Sequence, residues 1–472
     1  LHPPGAIEPA IWETARVIDA TSMHRYTDVT ERLAQSILEY TRDRLRLNPV
    51  PLDGPRDPAE LAAAVGQTIT AEGLGGPEAL RLFDEVLSNA CVSVDNPRYL
   101  AFIPAAPTES ATLFDLVVGA SSIYGGSWLE GAGAVYAENQ ALRWIADLAG
   151  MPEQAGGCFV SGGTIGNLSA LVAARYTYLA ERGGERPPRL RIAATVEAHS
   201  SIVSAAQVMD VDILEVEADE HGRLTGKNLE AAIAEEGDDG LFAAVATSGT
   251  TNLGIIDDLA GVAETCDRRD LWMHVDGAYG GAGLAAPSVR PKFRGIERAD
   301  SFIVDPHKWL FAPFDCCALL YRRPQLARAA HTQHAGYLDA IQSDSEWNPS
   351  DYAVHLSRRA RGLPFWFSLA VHGTAAYSIA IESTLAVTQA AADEIRARPE
   401  LELLSEPELS VLCFKRIGWA PDAYDRWSAD MLARGFAFVT PTVYRDEIVT
   451  RFAIVNPRTT LTDIQAILDT MR

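Results

Sequence analysis

Ala299-Asp-Ser-Phe-Ile-Val-Asp-Pro-His-Lys308-Trp-Leu310 is an apolar run that stops at a carboxylate, a proline, an imidazole and an amine. Upstream, Leu271-Trp-Met-His-Val-Asp276-Gly-Ala-Tyr-Gly-Gly281 repeats the design, with an apolar run ending in a carboxylate and small residues. Short apolar runs bounded by turn residues read as strands buried on both faces, the kind found in helix-covered parallel sheets. Working outward, similar runs lie at 158–160, 191–196, 212–216 and 242–247, with helical patterns at 166–180, 228–234 and 261–268 between them. Strands at 272–275 and 301–304 complete the series. This alternation predicts an α/β fold with a mostly parallel, doubly wound sheet.

The flanks read differently. Residues 27–40 and 78–89 carry apolar residues at helical spacing, separated by the breaker Asn48-Pro-Val-Pro-Leu-Asp-Gly-Pro55. Strands at 409–415 and 448–455 and a helix at 462–471 suggest a small α+β domain. The expected division is a helical segment at 1–95, a large domain at 96–370 and a small domain at 371–472. Residues 331–356 are polar and weakly patterned, and a structureless stretch of that length is often functional.

A net charge of −23 over 472 residues argues against nucleic-acid binding, which wants clustered Lys and Arg. No apolar run reaches the ~18 residues of a membrane span. Six scattered cysteines without a C-x-x-C pair predict a reduced, cytoplasmic setting. The chain begins at Leu1 rather than Met, which leaves the native N-terminus open.

Only four lysines occur, at 227, 292, 308 and 415. Lys227 lies in a polar stretch, Lys292 in Val289-Arg-Pro-Lys-Phe-Arg294, and Lys415 precedes Arg416 in the tail. Lys308, at a strand end, is the candidate for amine chemistry. Three other strand-like runs lead into Thr247, Asp276 and, after Thr195-Val-Glu-Ala, His199. The carboxyl ends of strands in open α/β sheets line the binding crevice. Each residue alone reads as an ordinary loop residue; four in order predict one pocket.

Ser161-Gly-Gly-Thr-Ile-Gly-Asn167 adds a glycine-rich turn into a helix, where Gly163 and Thr164 can hold an anion. An amine for a Schiff base, an acid for a pyridinium nitrogen and an anion cradle are the anchors that pyridoxal 5'-phosphate (PLP) needs. Asp276 would pair the ring nitrogen, while Ala278 and His199 would lie against the ring's two faces. Burial and a neighbouring cation are expected to lower the Lys308 pKa. Phe102, Tyr124, Trp309 and Phe311 are candidate apolar walls for an aromatic substrate, whereas Arg358 and Arg361 keep a substrate with a second carboxylate open.

The chain resembles the group II PLP-dependent amino-acid decarboxylases of fold type I, which act on aromatic L-amino acids, glutamate and histidine. The likeness runs from Asn96-Pro-Arg-Tyr-Leu-Ala-Phe-Ile-Pro104 through Asp305-Pro-His-Lys-Trp309 and Phe314-Asp-Cys316. It continues through Arg358-Arg-Ala-Arg-Gly-Leu-Pro-Phe-Trp-Phe367 and Arg451-Phe-Ala-Ile-Val-Asn-Pro-Arg-Thr-Thr460. The resemblance implies a mostly parallel seven-stranded sheet with flanking helices, a helical N-terminal segment and a small C-terminal α+β domain. It implies a homodimer whose N-terminal helices clasp the partner, with catalysis through a Lys308 aldimine and a quinonoid that releases the amine and CO2. Gly163 and Thr164 would hold the phosphate, and Thr247 and His307 would contact the cofactor or substrate. Tyr337 falls where the family has a mobile-loop tyrosine that protonates the quinonoid, a role His199 could share. An aldehyde synthase, an aminotransferase and a non-catalytic PLP-binding homologue remain alternatives.

Two departures stand out. Members near the aromatic enzymes often have Asn in place of Asp305, close to the phosphate, so this carboxylate is expected to turn away or bond backbone amides. They also have a bulky residue near Gly126, so the glycine is expected to reshape the substrate pocket.

Overall fold

The computed structural model describes residues 21–333 and 346–472. The chain divides into two compact units, one ending at Asn48 and resuming over Pro55–Val92, the other comprising Pro49–Gly54 and Ser93–Arg472. In the first unit, helices Asp28–Arg46, Pro58–Val65 and Gly76–Leu82 begin where the sequence supplies starts. Thr27 accepts from the Thr30 amide in a reciprocal cap, and Asp57 caps the second helix just before Pro58. The helix expected at 78–89 is in fact Gly76–Leu82 followed by a wide turn at Phe83–Leu87 and a tight turn at Ser88–Ala90.

The second unit is built on strands β1 (Gly156–Val160), β2 (Arg191–Ala194), β3 (Asp212–Glu215), β4 (Leu241–Thr247), β5 (Trp272–Asp276), β6 (Ser301–Val304) and β7 (Cys317–Tyr321). They form one seven-stranded sheet in the order β1-β7-β6-β5-β4-β2-β3. β7 runs antiparallel to both its neighbours, and the pairs from β6 through to β3 are parallel. The period-two alternation of strand side chains splits the core in two. Phe302, Val304, Met273 and Val275 pack into one layer, while Ile303, Val245 and Cys317 pack into the other. Both faces are therefore dry, which is why the strands read as continuous apolar runs.

Register sets the floor of the site. Thr247 pairs with Asp276, and Asp276 with Ile303, so β4 and β5 end flush while β6 runs on toward Asp305.

A smaller antiparallel sheet, ordered β10-β11-β9-β8, comprises β8 (Leu401–Leu403), β9 (Val411–Arg416), β10 (Thr440–Tyr444) and β11 (Glu447–Ala453). Helices Thr374–Arg396, Pro421–Ala433 and Leu461–Leu468 pack with it around Phe414, Phe452 and Ile464. Strands β7, β8 and β10 are absent from the sequence reading. The segment at 331–356 also differs in part from expectation. Trp347 stacks on Tyr352 at 4.3 Å and donates from Nε1 to the Gly157 carbonyl at 3.0 Å, and the turn Pro349–Tyr352 is buried. Polar composition there conceals an aromatic anchor on β1. Among the described residues no helix is long and apolar enough to cross a membrane.

One buried ion pair ties the layers of this unit together. The Arg358 guanidinium, fully buried, donates to Glu138 at 2.7 and 3.0 Å and also to the carbonyls of Gly125 and Phe159. Glu138→Ala would strand a buried cation, and its loss should cost about 3–5 kcal/mol of stability. Chemical denaturation checks this; a loss below about 1 kcal/mol would show that the pair is not structurally critical.

Candidate active site

A cavity of ≈ 280 Å³ opens at the carboxyl ends of β4, β5 and β6, against the start of helix Gly163–Glu181. Gly163, Thr164, His199, Thr247, Asp276, Ala278, His307 and Lys308 all line it. A larger cavity of ≈ 880 Å³ near Arg223 and Glu408 holds none of these residues, and those two charges are already paired with each other.

The expected aromatic walls lie elsewhere. Trp309 is fully buried and donates from Nε1 to Thr384 at 3.0 Å, and Phe311 shares the same core layer. After Lys308 the large apolar side chains Trp309, Leu310 and Phe311 all take up core space. Phe102 is exposed and meets Phe438 edge-on at 5.9 Å, and the Tyr124 hydroxyl donates to the Leu356 carbonyl at 2.9 Å. Neither lines the cavity. A Cβ on Gly126 would fall 2.2 Å from the Tyr124 hydroxyl, so the space the glycine leaves is filled by that ring rather than added to the cavity. Tyr337 lies outside the described residues.

Asp276 is buried at the end of β5. Its Oδ1 accepts the Ala278 amide at 3.0 Å and its Oδ2 accepts the Asn167 side-chain amide at 2.8 Å. Asn167 also donates to the Ser201 hydroxyl at 2.8 Å, which lies 2.9 Å from His199 Nδ1. The Ser201 backbone amide donates to that same Nδ1 at 3.2 Å, so the neutral imidazole carries its proton on Nε2. Asn167 and Ser201 escaped the sequence reading. A signal was available, because a helix interior disfavours Asn unless its side chain has work to do.

Lys308 and Asp305 stand three residues apart on a tight turn, where the Lys308 amide donates to the Asp305 carbonyl at 2.9 Å. Their side chains meet at 2.9 Å between Nζ and Oδ2. Burial works to depress the Lys308 amine, but the Asp305 charge and hydrogen bond outweigh it, with Asp276 adding to them, and hold it above its ordinary value. The expectation of a lowered pKa is thus reversed. Burial likewise works to raise the Asp305 carboxyl, but the charges of Lys308 and His307 keep it low. Asp305 neither turns away nor bonds backbone amides; it faces the amine, and its Oδ1 has no hydrogen-bond partner among the described residues. Burial pushes His307 down, although Asp305 lies 3.6 Å from its Nε2.

The residues fit a PLP-sized anion with a ring. Helix Gly163–Glu181 begins without a side-chain cap, leaving its first amides to a ligand. A Cβ on Gly163 would approach Ala278 Cβ to 3.2 Å and Asp305 Oδ2 to 3.3 Å, so any side chain would crowd this cradle. Amine, buried acid, imidazole and small Ala278 then surround one space.

The profile of the pyridoxal-dependent decarboxylase conserved domain matches residues 78–417. The chain belongs to this family. It is 29% identical over 416 residues to an aromatic-L-amino-acid decarboxylase of Bacillus atrophaeus, covering 85% of this chain and 86% of the relative. It is 31% identical over 391 residues to an L-2,4-diaminobutyrate decarboxylase of Rhizobium meliloti (strain 1021), covering 80% and 77%. The crystal structure of Oryza sativa TDC with PLP and tryptamine shares the fold, with TM-score 0.87 and 23% identity over 94% of this chain and 97% of that one. The protein is therefore a PLP-dependent amino-acid decarboxylase with the fold type I architecture.

The Asp305 pair has a measurable consequence for this decarboxylase. Asp305 raises the folded pKa of Lys308, so at neutral pH it keeps the amine charged and unreactive. Asp305→Asn removes the larger of the two opposing charges and should shift the pH midpoint for PLP capture by the cofactor-free chain downward by about one unit or more. Stopped-flow absorbance across pH measures it; an unchanged midpoint would remove Asp305 from control of the amine.

Proposed function

We propose that this decarboxylase converts an aromatic L-amino acid to its amine and CO2, working as a cytoplasmic homodimer whose N-terminal helices clasp the partner. Bound PLP supplies an electron sink for the pair left when the carboxyl group departs. Lys308 would bind the cofactor aldehyde and yield that position to the substrate amine. Asp276 would hold a proton on the ring nitrogen, Gly163 and Thr164 would bind the phosphate, and Ala278 and His199 would keep the ring flat. Thr247 and His307 would orient the substrate. The proton returned to the substrate carbon would come from Tyr337 or from His199 Nε2, the ring atom left protonated by the Ser201 contact.

The observation that carries the aromatic reading is the lack of a free cation. Lys308 is the sole Lys or Arg among the described residues of the cavity wall. Arg358 is committed to Glu138, and Arg361 is paired with Asp315 on the wall itself. A second substrate carboxylate would meet carboxylates there. Phe314, 55% exposed on the same wall, offers a ring face instead.

A cationic side chain is the second reading. Glu197 lines the cavity and has no ion pair among the described residues, and a diaminobutyrate decarboxylase is among the relatives. Acidic-amino-acid and histidine decarboxylases are relatives too, so the family alone does not choose.

CO2 release across a panel of L-amino acids, with the product identified by mass, separates the readings. Phenylalanine, tyrosine or tryptophan should exceed glutamate and 2,4-diaminobutyrate by about tenfold or more in kcat/KM. Preference for the diamino acid would install the cationic reading, and an aldehyde product would replace the amine reaction. Lys308→Ala should abolish CO2 release and the visible absorption of bound PLP; retention of that absorption would sink the role of Lys308.

A further inference from the structure

Behind Asp276 the hydrogen bonds continue into the sheet. His274, two residues earlier on β5 and fully buried, places Nε2 2.8 Å from Asn167 Oδ1 and Nδ1 2.8 Å from the Ser301 hydroxyl. The Trp272 indole also donates to that hydroxyl at 2.8 Å. Each link has only one direction. Asn167 Oδ1 is a carbonyl oxygen and can only accept, so His274 Nε2 carries a proton and donates it. The neutral ring then accepts at Nδ1 from Ser301, whose oxygen in turn accepts from Trp272. Burial pushes His274 down to about 4 against the pull of Asp276, which keeps the ring neutral across the physiological range.

This chain settles which way the Asn167 amide faces. Its NH2 side meets two acceptors, Asp276 Oδ2 and Ser201 Oγ, and its oxygen meets one donor, His274. A flipped amide would turn its oxygen toward the Asp276 carboxylate and its NH2 toward the His274 N–H. Without the His274 donor, the Asn167 oxygen loses its described partner, and only the two contacts of the NH2 side are left to orient the amide.

We infer that Asn167 and His274 are positioning residues for Asp276: the directed chain from Trp272 through Ser301, His274 and Asn167 ensures that this carboxylate always receives a donor. This rests on the proposed pairing of Asp276 with the cofactor ring nitrogen. The other charged groups near Asp276 are Lys308 from the loop after β6 and, through it, Asp305; helix Gly163–Glu181 contributes only the neutral Asn167. The hydrogen-bonded chain therefore keeps a donor on Asp276 without adding a charge.

His274→Phe keeps the volume and loses the donor, whereas His274→Gln keeps a donor. Both are loaded with PLP as full chains, and cofactor affinity and the pH midpoint of the bound-PLP visible band are measured. His274→Phe should weaken PLP binding by about tenfold and move the midpoint by about one unit, and His274→Gln should recover to within about threefold of the unaltered protein. Asp276→Asn, measured alongside, tests the underlying pairing. If Asp276→Asn shifts both quantities while His274→Phe shifts neither, the positioning role is wrong and the pairing stands. If Asp276→Asn shifts neither, the pairing itself fails and the inference with it. Equal shifts in His274→Phe and His274→Gln would overturn the donor role. Should His274→Phe fail to fold, Ser301→Ala removes the group that orders the His274 ring, and a shift of about threefold in the same direction is expected, none being disproof.

Discussion

Asp276 sits at 4% exposure at the end of β5, where a carboxylate without partners would cost several kcal/mol. Much of the site's architecture answers that cost. Just past the end of the strand the Ala278 backbone amide turns back onto Oδ1, and the helix that begins at Gly163 brings Asn167 to Oδ2 one turn in. That same helix start leaves its first amides uncapped for an anion. In the proposed binding mode one helix would thus serve both ends of a flat ligand, and the register of β4 against β5 places Thr247 beside the acid. Moving any of these elements by a residue would break the carboxylate's partners before it changed the chemistry.

The second carboxylate changes the balance at the amine. For Lys308, desolvation and charge act in opposite directions, and distance decides between them. Asp305 at 2.9 Å is close enough for Coulomb attraction and a hydrogen bond to act together, while the Lys308 side chain keeps 23% exposure. Desolvation is the largest single influence on this amine, and it is outweighed only because the Asp305 charge, the Asp305 hydrogen bond and the Asp276 charge act together. Asp305 nonetheless leaves one oxygen without a protein partner inside the cavity, so the pair is compact but not closed.

The sequence was legible where one physical demand dominated. Strands buried on both faces must be apolar throughout, so β4, β5 and β6 were visible, and their terminal polar residues marked the site. β7 is missing from that reading although Cys317–Tyr321 is as apolar as the other strands, and its antiparallel direction has no one-dimensional signature. Trp309 and Phe311 stood between pocket wall and core, and the structure places them in the core. An aromatic beside a catalytic-looking lysine serves core or pocket equally well by composition, and only its burial and packing in the folded chain assign it. Asn167 was hidden among glycines whose phosphate role explained the motif without it. The Lys308 pKa required a distance, which no spacing of residues supplies.

Selectivity turns on which charges are free to move. Arg358 cannot serve a substrate, because releasing it would leave Glu138 buried and alone. Arg361 is different, since Asp315, its partner, is half exposed and such a pair is inexpensive to break. With Asp315 holding Arg361, the described cavity wall offers a distal carboxylate no arginine, while Glu197, Asp276, Asp305 and Asp315 all line it. Freed from Asp315, the same guanidinium would offer a fork matched to a carboxylate.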